Sequence, residues 1–168
     1  MSKKILIAFA SKHGATEQIA ENIALRLKKN GIDAALKPVK EVSSVAGFDG
    51  VILGSGVYAG FWIKAADEFL KDREAALAAM PVWLFSDGPT GIGDPAKLMD
   101  GFTLPENLKP LVERISPRDV AFFHGVIDMK KLRFAEKLII RALKAPTGDF
   151  RDWDMINTWA DGVATALK

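Results

Sequence analysis

The feature that most restricts the fold lies at the N-terminus, where an apolar run, a loop of small residues and a helical pattern follow one another. The run from Ile5 to Ala10 reads Ile-Leu-Ile-Ala-Phe-Ala, which is typical of a strand buried on both faces of a parallel sheet. After the loop, Ile19, Ile23 and Leu27 recur at helical spacing, and Asn30-Gly31 is a common helix end. A strand, a loop and a helix in this order form the opening unit of an α/β fold.

The loop between them, Ser11 to Thr16, reads Ser-Lys-His-Gly-Ala-Thr and has the properties of a phosphate-binding loop. The start of a helix offers unpaired N–H groups and the positive end of the helix dipole. Gly14 allows the backbone to approach a ligand closely, and the hydroxyls of Ser11 and Thr16 can donate hydrogen bonds to phosphate oxygens. These six residues leave one alternative open, a plain strand-to-helix turn in which Thr16 is the N-cap.

Further apolar runs predict four more strands, at residues 33–37, 50–54, 82–85 and 120–123. Helical patterns cover residues 61–79 and 106–115, and two more follow the fifth strand, at Met129–Lys144 and from Asp152-Trp153 to the end. Strands that alternate with helices predict a parallel sheet with helices on both faces. We therefore expect one doubly wound α/β domain over residues 1–168.

Loops rich in small residues directly follow four of the predicted strands. They begin at Ser11, Gly54, Ser86 and His124. The carboxyl ends of parallel strands lie along one edge of the sheet, which is where doubly wound sheets bind ligands. The sequence therefore predicts that these four loops form one ligand site.

Composition excludes several classes of chemistry. The chain has no cysteine, so disulfides, thiolate metal sites and cysteine nucleophiles are excluded, and redox chemistry needs a bound cofactor. Its two histidines, His13 and His124, are far apart in sequence, so we expect no metal site. The net charge is only +2, and no Lys/Arg run interleaves with aromatic residues, so we expect no nucleic-acid partner. With no long apolar run and no leader pattern, a cytoplasmic protein is expected.

Three familiar motifs do not account for these loops. Gly54 to Ala59 matches the dinucleotide pattern G-x-G-x-x-A, but Asp72 and Glu74, the acidic residues about 20 positions on, fall inside a predicted helix rather than after a strand. The chain has neither a G-x-x-x-x-G-K-[ST] sequence nor a G-x-S-x-G sequence. A ligand with a single phosphate and a flat body, such as flavin mononucleotide (FMN), remains.

The FMN hypothesis assigns a role to each loop. Tyr58, the only tyrosine, is expected to stack on the isoalloxazine ring, with Phe61 or Trp62 as alternatives, although Trp62 also fits the first turn of a packed helix. Backbone amides at glycines of the second and third loops are expected to reach the ring edges. The predicted cofactor contacts are Ser11, Lys12, His13, Gly14, Ala15, Thr16, Ser55, Gly56, Val57, Tyr58, Ser86, Asp87, Gly88, Thr90 and Gly91.

His124 is the candidate for proton transfer, because the end of the fifth strand faces the ligand edge. A histidine that is hydrogen-bonded within its own loop is the alternative. The remaining chemistry belongs to the cofactor, and no other side chain is expected to act as an acid or a base.

With these loops assigned, the sequence resembles flavodoxins along essentially its whole length. Ser11 to Thr16 stands where flavodoxins carry a Thr-x-Thr-Gly-x-Thr type phosphate loop, and Lys12 and His13 replace small hydroxyl residues there. The resemblance implies a flavodoxin-like five-stranded parallel sheet of order 2-1-3-4-5 that binds FMN noncovalently.

Within that fold, the chain resembles the menaquinone-dependent protoporphyrinogen oxidase family more closely than it resembles flavodoxins in general. The matching segments are Val51 to Tyr58, Phe122 to Gly125, the basic helix and Asp152-Trp153. This resemblance implies an FMN-dependent oxidoreductase of haem biosynthesis that takes hydrogen from a porphyrinogen and passes electrons to a quinone. A flavodoxin-type electron carrier with no substrate of its own is the alternative. Small carriers that dock on basic partners usually present an acidic surface, so the mildly basic chain favours the enzyme.

The basic helix between the fifth strand and the last helix carries a separate argument. Lys130, Arg133, Lys137, Arg141 and Lys144 fall on one stripe of a helix spanning Met129–Lys144, and apolar residues fall roughly opposite. The stripe is either the solvated outer face of a packed helix or a contact for anionic lipid, an acidic partner or a propionate-bearing substrate. The lipid interpretation predicts peripheral association at the inner face of the membrane.

Overall fold

Five parallel strands form the centre of the molecule, and the computed structural model describes residues 2–168. The strands are β1 (Lys4–Ala10), β2 (Asp33–Pro38), β3 (Gly50–Tyr58), β5 (Val82–Asp87) and β6 (Asp119–Phe123). Their order across the sheet is β2-β1-β3-β5-β6, and every neighbouring pair is parallel. Counting only these five strands, this is the order 2-1-3-4-5, so the predicted α/β architecture is confirmed.

Helices cover both faces of this sheet, and the described residues also form three further short strands. The helices are α1 (Ala15–Lys29), α2 (Lys64–Asp72), α3 (Glu74–Ala78), α4 (Pro95–Leu98), α5 (Lys109–Ile115), α6 (Phe134–Leu143) and α7 (Trp153–Leu167). The short strands are β4 (Phe61–Trp62), β7 (Val126–Ile127) and β8 (Gly148–Asp149). Of these, β4 pairs with the end of β3, and β7 and β8 pair with each other in a separate two-stranded sheet. Single 3₁₀ turns lie at Val39–Glu41, Glu106–Leu108 and Met129–Lys131. Across residues 2–168, none of the helices is both long and apolar enough to cross a bilayer.

Two apolar layers hold the helices to the sheet, and β1 contributes alternately to each. Ile5 and Ile7 pack with α1 and α7 on one face, whereas Leu6 and Ala8 pack with α2 and α5 on the other. Alternate residues of a strand point to opposite faces, so a strand covered on both sides needs a continuous apolar run. The strand ends, and the loops that follow them, are thereby held rigidly at one edge.

The helix predicted at residues 61–79 is wrong over its first turn and at its middle. Phe61 and Trp62 form β4, which pairs antiparallel with the end of β3. The Trp62 indole Nε1 donates to Ser86 Oγ at 2.7 Å, so a buried tertiary hydrogen bond fixes this hairpin. The helical part is then divided into α2 and α3 at Arg73, whose guanidinium donates to the Val42 carbonyl at 2.7 Å.

The basic helix predicted from Met129 to Lys144 is shorter than expected. After the turn at Met129–Lys131, Leu132 and Arg133 have extended backbone, so α6 begins at Phe134. Of the predicted cationic stripe, Lys137 and Arg141 lie within α6, while the other members flank it. The prediction of one continuous cationic helix face is therefore wrong, although an extra helix does lie between β6 and α7.

Candidate functional site

The first loop presents backbone donors at the start of α1. Gly14 is the N-cap residue, with a left-handed φ of 95°, and its N–H donates to Ser11 Oγ at 3.0 Å. No side chain caps this helix, and within residues 2–168 no acceptor pairs with the N–H groups of its first three residues, Ala15 to Glu17. Thr16 therefore is not the N-cap, and three amide donors remain at the positive end of a 15-residue helix.

Basic side chains surround this loop, and a carboxylate from α6 pairs with two of them. Glu136 lies 3.4 Å from Lys12 Nζ and 3.0 Å from His13 Nε2. The hydrogen bond from His13 and, secondarily, the contact with Lys12 hold the pKa of Glu136 below its usual value. Lys131 Nζ also donates to the His13 carbonyl, at 3.4 Å. A cavity of about 80 Å³ opens beside the loop, and its charged lining is His13, Lys131, Arg151 and Asp128.

A buried polar pair links the first loop to the third. Asp87 is the last residue of β5 and lies beside Gly56 of β3 in the sheet register. Its Oδ1 accepts a hydrogen bond of 2.6 Å from Thr16 Oγ1. Burial raises the pKa of Asp87 to about 7, against the opposing effects of the Thr16 hydrogen bond and the charge of Arg151.

Tyr58 lies at the end of β3, in a tight hairpin whose two turn residues, Ala59 and Gly60, both have positive φ. Its ring folds back over Gly56, where a Cβ would come within 3.0 Å of the ring. Lys12 Nζ lies 5.2 Å from the ring centre. Partial burial, together with the negative charges of Asp87 and Glu136, raises the pKa of Tyr58 to about 12, so the phenol is neutral. The ring is thus held next to both the first loop and Asp87.

Two predicted site residues point into the protein instead. Ser55 is buried and accepts a hydrogen bond from the backbone N–H of Ile63 at 3.0 Å, while Ser86 accepts from Trp62. Gly88 also has a packing role, since a Cβ there would lie 3.3 Å from Val57, and Gly125 sits directly against Gly88 on the other side. These contacts join the ends of β3, β5 and β6 into one closely packed edge.

His124 is buried at the end of β6 and bonds to the third loop. Its Nε2 lies 2.6 Å from the Gly93 carbonyl oxygen. A carbonyl only accepts, so Nε2 carries the proton in this contact, and Nδ1 has no partner within residues 2–168. Thr90 and Gly91 lie in the same loop. Beside it is an open groove of about 500 Å³, whose lining includes Ile92, His124, Phe150 and Trp153.

A family model described as a flavodoxin domain matches residues 6–154 of the chain. The chain belongs to the flavodoxin-domain family. FMN is therefore the cofactor indicated for it, as for the flavodoxins that share its fold. A flavodoxin from the domain Archaea is 11% identical to it, covers 98% of each chain and superimposes with a TM-score of 0.63.

Two relatives have names that describe an enzyme. Protoporphyrinogen IX dehydrogenase (quinone) of Escherichia coli strain K12 is 32% identical over 85 residues, covering 49% of this flavodoxin domain and 47% of that protein. The match thus spans about half the length of the relative. The protein of the same name from Leishmania major is 24% identical over 179 residues, covering 97% of this chain and 75% of its own.

The residues of this flavodoxin domain fit the phosphate of FMN. The free amides at the start of α1 are the donors that a phosphate needs, and the space beside Gly14 is open, since a Cβ there would meet nothing within 4 Å. Lys12 adds a positive charge, and the His13 ring lies beside it. Asp87 and Tyr58 lie at the adjoining strand ends, where the rest of the cofactor would extend.

Sequence patterns did not indicate Glu136, Lys131 or Arg151 as members of this site. Glu136 is 123 positions from His13 along the chain, and Arg151 lies just before α7. No local spacing links such residues to the first loop. The basic character of the segment around α6 was the only signal, and it pointed to its cations rather than to its single carboxylate.

Proposed function

We propose that this flavodoxin domain is an FMN-dependent oxidoreductase that oxidises a porphyrinogen and reduces a membrane-dissolved quinone. Each pair of hydrogens taken from the macrocycle reduces one quinone to its quinol. Bound FMN supplies a centre that accepts and returns two electrons. The names of the relatives from E. coli and L. major support this proposal, as does the arrangement of α6.

The proposal assigns the site residues by loop. The first loop, Ser11 to Thr16, would hold the phosphate through the amides of α1 and through Lys12 and His13. Tyr58 would stack against the ring, while Ser55 to Val57 and Ser86 to Gly91 would contribute mainly backbone groups to its site. His124 takes or gives a proton through Nδ1, since Nε2 is engaged by Gly93.

The apolar face of α6 is the observation that favours a lipid-soluble partner. Phe134, Leu138, Ile139 and Leu143 are 76%, 49%, 57% and 71% exposed, and no residue of this helix is buried. Glu136 and Ile140 are on the side turned toward the protein. An ordinary surface helix buries its apolar side chains, whereas α6 turns them outward, which is the arrangement of a helix that lies in a membrane interface.

Charges around α6 match an anionic bilayer. Six cations and one carboxylate lie within residues 129–145, and the carboxylate, Glu136, is turned to the first loop. Basic residues near an anionic surface contribute about 1 kcal/mol each. Contact through Met129 to Lys144 would hold the domain peripherally at the inner face of the membrane, with its FMN site beside the phase in which quinones dissolve.

Anaerobic mixing experiments test the oxidoreductase. The FMN-loaded protein is mixed with protoporphyrinogen and then with a menaquinone analogue, while flavin and porphyrin absorbance are recorded. Loss of the oxidised-flavin absorbance on the first addition, its return on the second, and formation of porphyrin are expected. If flavin absorbance is unchanged by the porphyrinogen but responds to a reduced protein donor, the domain is an electron carrier and the enzyme proposal fails.

Vesicle sedimentation tests the membrane contact separately. The wild-type protein is expected to sediment with anionic vesicles and to remain in solution with neutral ones. Leu143→Ser should reduce the bound fraction severalfold. Leu25→Ser is the matched control, because Leu25 is 60% exposed and lies on α1, outside the segment Met129 to Lys144. Equal loss of binding in both variants, or equal binding to both vesicle types, would contradict this part.

A further inference from the structure

We infer that Asp87 couples FMN binding to the uptake of one proton, so that the phosphate is bound while the Asp87 carboxyl is neutral. The inference concerns a residue of this chain and the cofactor of its family. It does not depend on the proposed substrate or on the quinone.

Competition for one hydroxyl proton is the geometric basis. Thr16 lies in the first turn of α1, among the free amides of the first loop, and its hydroxyl, like that of Ser11, is predicted to donate to phosphate. The Thr16 hydroxyl instead donates to Asp87 Oδ1 at 2.6 Å. A hydroxyl has a single proton to donate, so Thr16 cannot serve a carboxylate and a phosphate together. A protonated Asp87 can donate to Thr16 and leave the hydroxyl proton free for the phosphate.

Electrostatics act in the same direction. Asp87 is buried at the strand end, where little water screens its charge. Burial already raises the pKa of Asp87 to about 7. A phosphate dianion brought to the first loop disfavours a nearby buried carboxylate and raises that pKa further. The carboxyl therefore gains a proton on FMN binding at neutral and mildly alkaline pH.

The other charged groups around Asp87 are few in residues 2–168. Tyr58, on the β3–β4 hairpin, is neutral because its pKa is raised to about 12. Arg151, before α7, lowers the pKa of Asp87 but is itself paired with Asp149 at 2.7 Å. Lys12 and His13, from the first loop, both pair with Glu136 of α6. His124, at the end of β6, bonds to Gly93. A His13 variant therefore serves as a control in the test.

The test is the pH dependence of FMN affinity, measured by quenching of flavin fluorescence between pH 7 and pH 8.5. Free phosphate esters, with a second pKa of about 6, are already dianions in this range. For the wild type, Kd is expected to rise with pH, approaching about tenfold per pH unit where one proton is taken up. An indicator dye in weak buffer should report about one proton bound per FMN at pH 8.

Three comparisons identify the group that causes the pH dependence of the Kd. Asp87→Asn should bind FMN with a Kd that is nearly constant over this range, and Asp87→Ser provides a second variant if the first folds poorly. His13→Gln should keep the wild-type slope. Riboflavin, which lacks the phosphate, should bind without the slope. A flat wild-type profile, a slope that survives in both Asp87 variants, a slope lost in His13→Gln, or an equal slope with riboflavin would each overturn the inference.

Discussion

Thr16 and Asp87 form the polar contact at the centre of the candidate site, and both were predicted as cofactor contacts. Their bond to each other was not predicted. It changes the expected role of each residue, because the Thr16 hydroxyl donates to Asp87, and Asp87 is a buried acid. A glycine of the second loop also has a packing role, because a Cβ at Gly54 would collide with the ring of Phe85.

Replacing Thr16 by Val should weaken FMN binding by about 1–3 kcal/mol, since it removes the charge-assisted donor. Fluorescence titration measures the Kd, and Thr16→Ser, which keeps the hydroxyl, should bind within about threefold of the wild type, because it retains the donor. An unchanged Kd for Thr16→Val would mean that the phosphate binds elsewhere.

The raised pKa of the buried Asp87 carboxyl also predicts that the stability of the FMN-free protein depends on pH. Because the folded-state pKa, about 7, lies above the unfolded value, the folded state binds the proton more tightly. The free energy of unfolding therefore falls as the pH rises from about 4 to 7 and is constant above pH 7. Asp87→Asn removes the titrating carboxyl, so this decrease is absent. The excess of its free energy of unfolding over that of the wild type should therefore grow with pH, to on the order of 4 kcal/mol by pH 8. Urea unfolding at pH 5 to 8 checks this, and a constant difference would refute it.

His124→Gln should leave FMN affinity nearly unchanged and slow turnover by about 100-fold. Glutamine can keep a donor toward the Gly93 carbonyl but has no nitrogen to replace Nδ1 as a proton acceptor. Single-turnover kinetics with porphyrinogen and quinone provide the measurement. Normal turnover would leave His124 with the loop-positioning role alone.

The sequence predicted that α6 is a helix, but it did not predict where the helix begins or which side faces the protein. The apolar spacing predicted a helix in this segment, but the first five residues are a turn and an extended pair. The apolar side faces outward, and Glu136, the residue that ties it to the first loop, lies on the side turned toward the protein. The element is therefore held by a few polar contacts rather than by a packed core.

Glu136→Gln should loosen α6, because the glutamine amide replaces a carboxylate that pairs with both Lys12 and His13. Limited trypsin digestion should cut after Lys137 or Arg141 severalfold faster than in the wild type. Glu21→Gln, at an exposed position of α1, is the control and should digest at the wild-type rate. Equal rates for all three proteins would show that other contacts hold the helix.

At the scale of the whole molecule, the site draws on the loops that follow β1, β3, β5 and β6 and on the segments around α6 and α7. Residues from 11 to 151 meet at one edge of the sheet. Ligand binding at such a site is linked to global folding, because unfolding separates the loops.

FMN should therefore stabilise the whole domain. At a free concentration of about 100 times Kd, the expected gain is about 2.7 kcal/mol, or roughly 5–11 °C in Tm for a chain of this size. Riboflavin at the same concentration should raise Tm less, since the first-loop amides gain no partner. Thermal unfolding followed by circular dichroism measures both, and equal shifts would argue against a phosphate site.

The sequence by itself determined the five strands, their parallel arrangement and the loops that meet at one edge, while the order of the strands followed from the resemblance to flavodoxins. Continuous apolar runs occur where a strand is covered on both faces, and parallel strands necessarily end together. Only the tertiary structure decided the partners: Thr16 with Asp87, 71 positions apart, and His13 with Glu136, 123 positions apart. It also decided which way α6 faces. Helical periodicity shows that one side of the helix is apolar. The sequence pattern is the same whether that side packs on the protein or on another apolar phase.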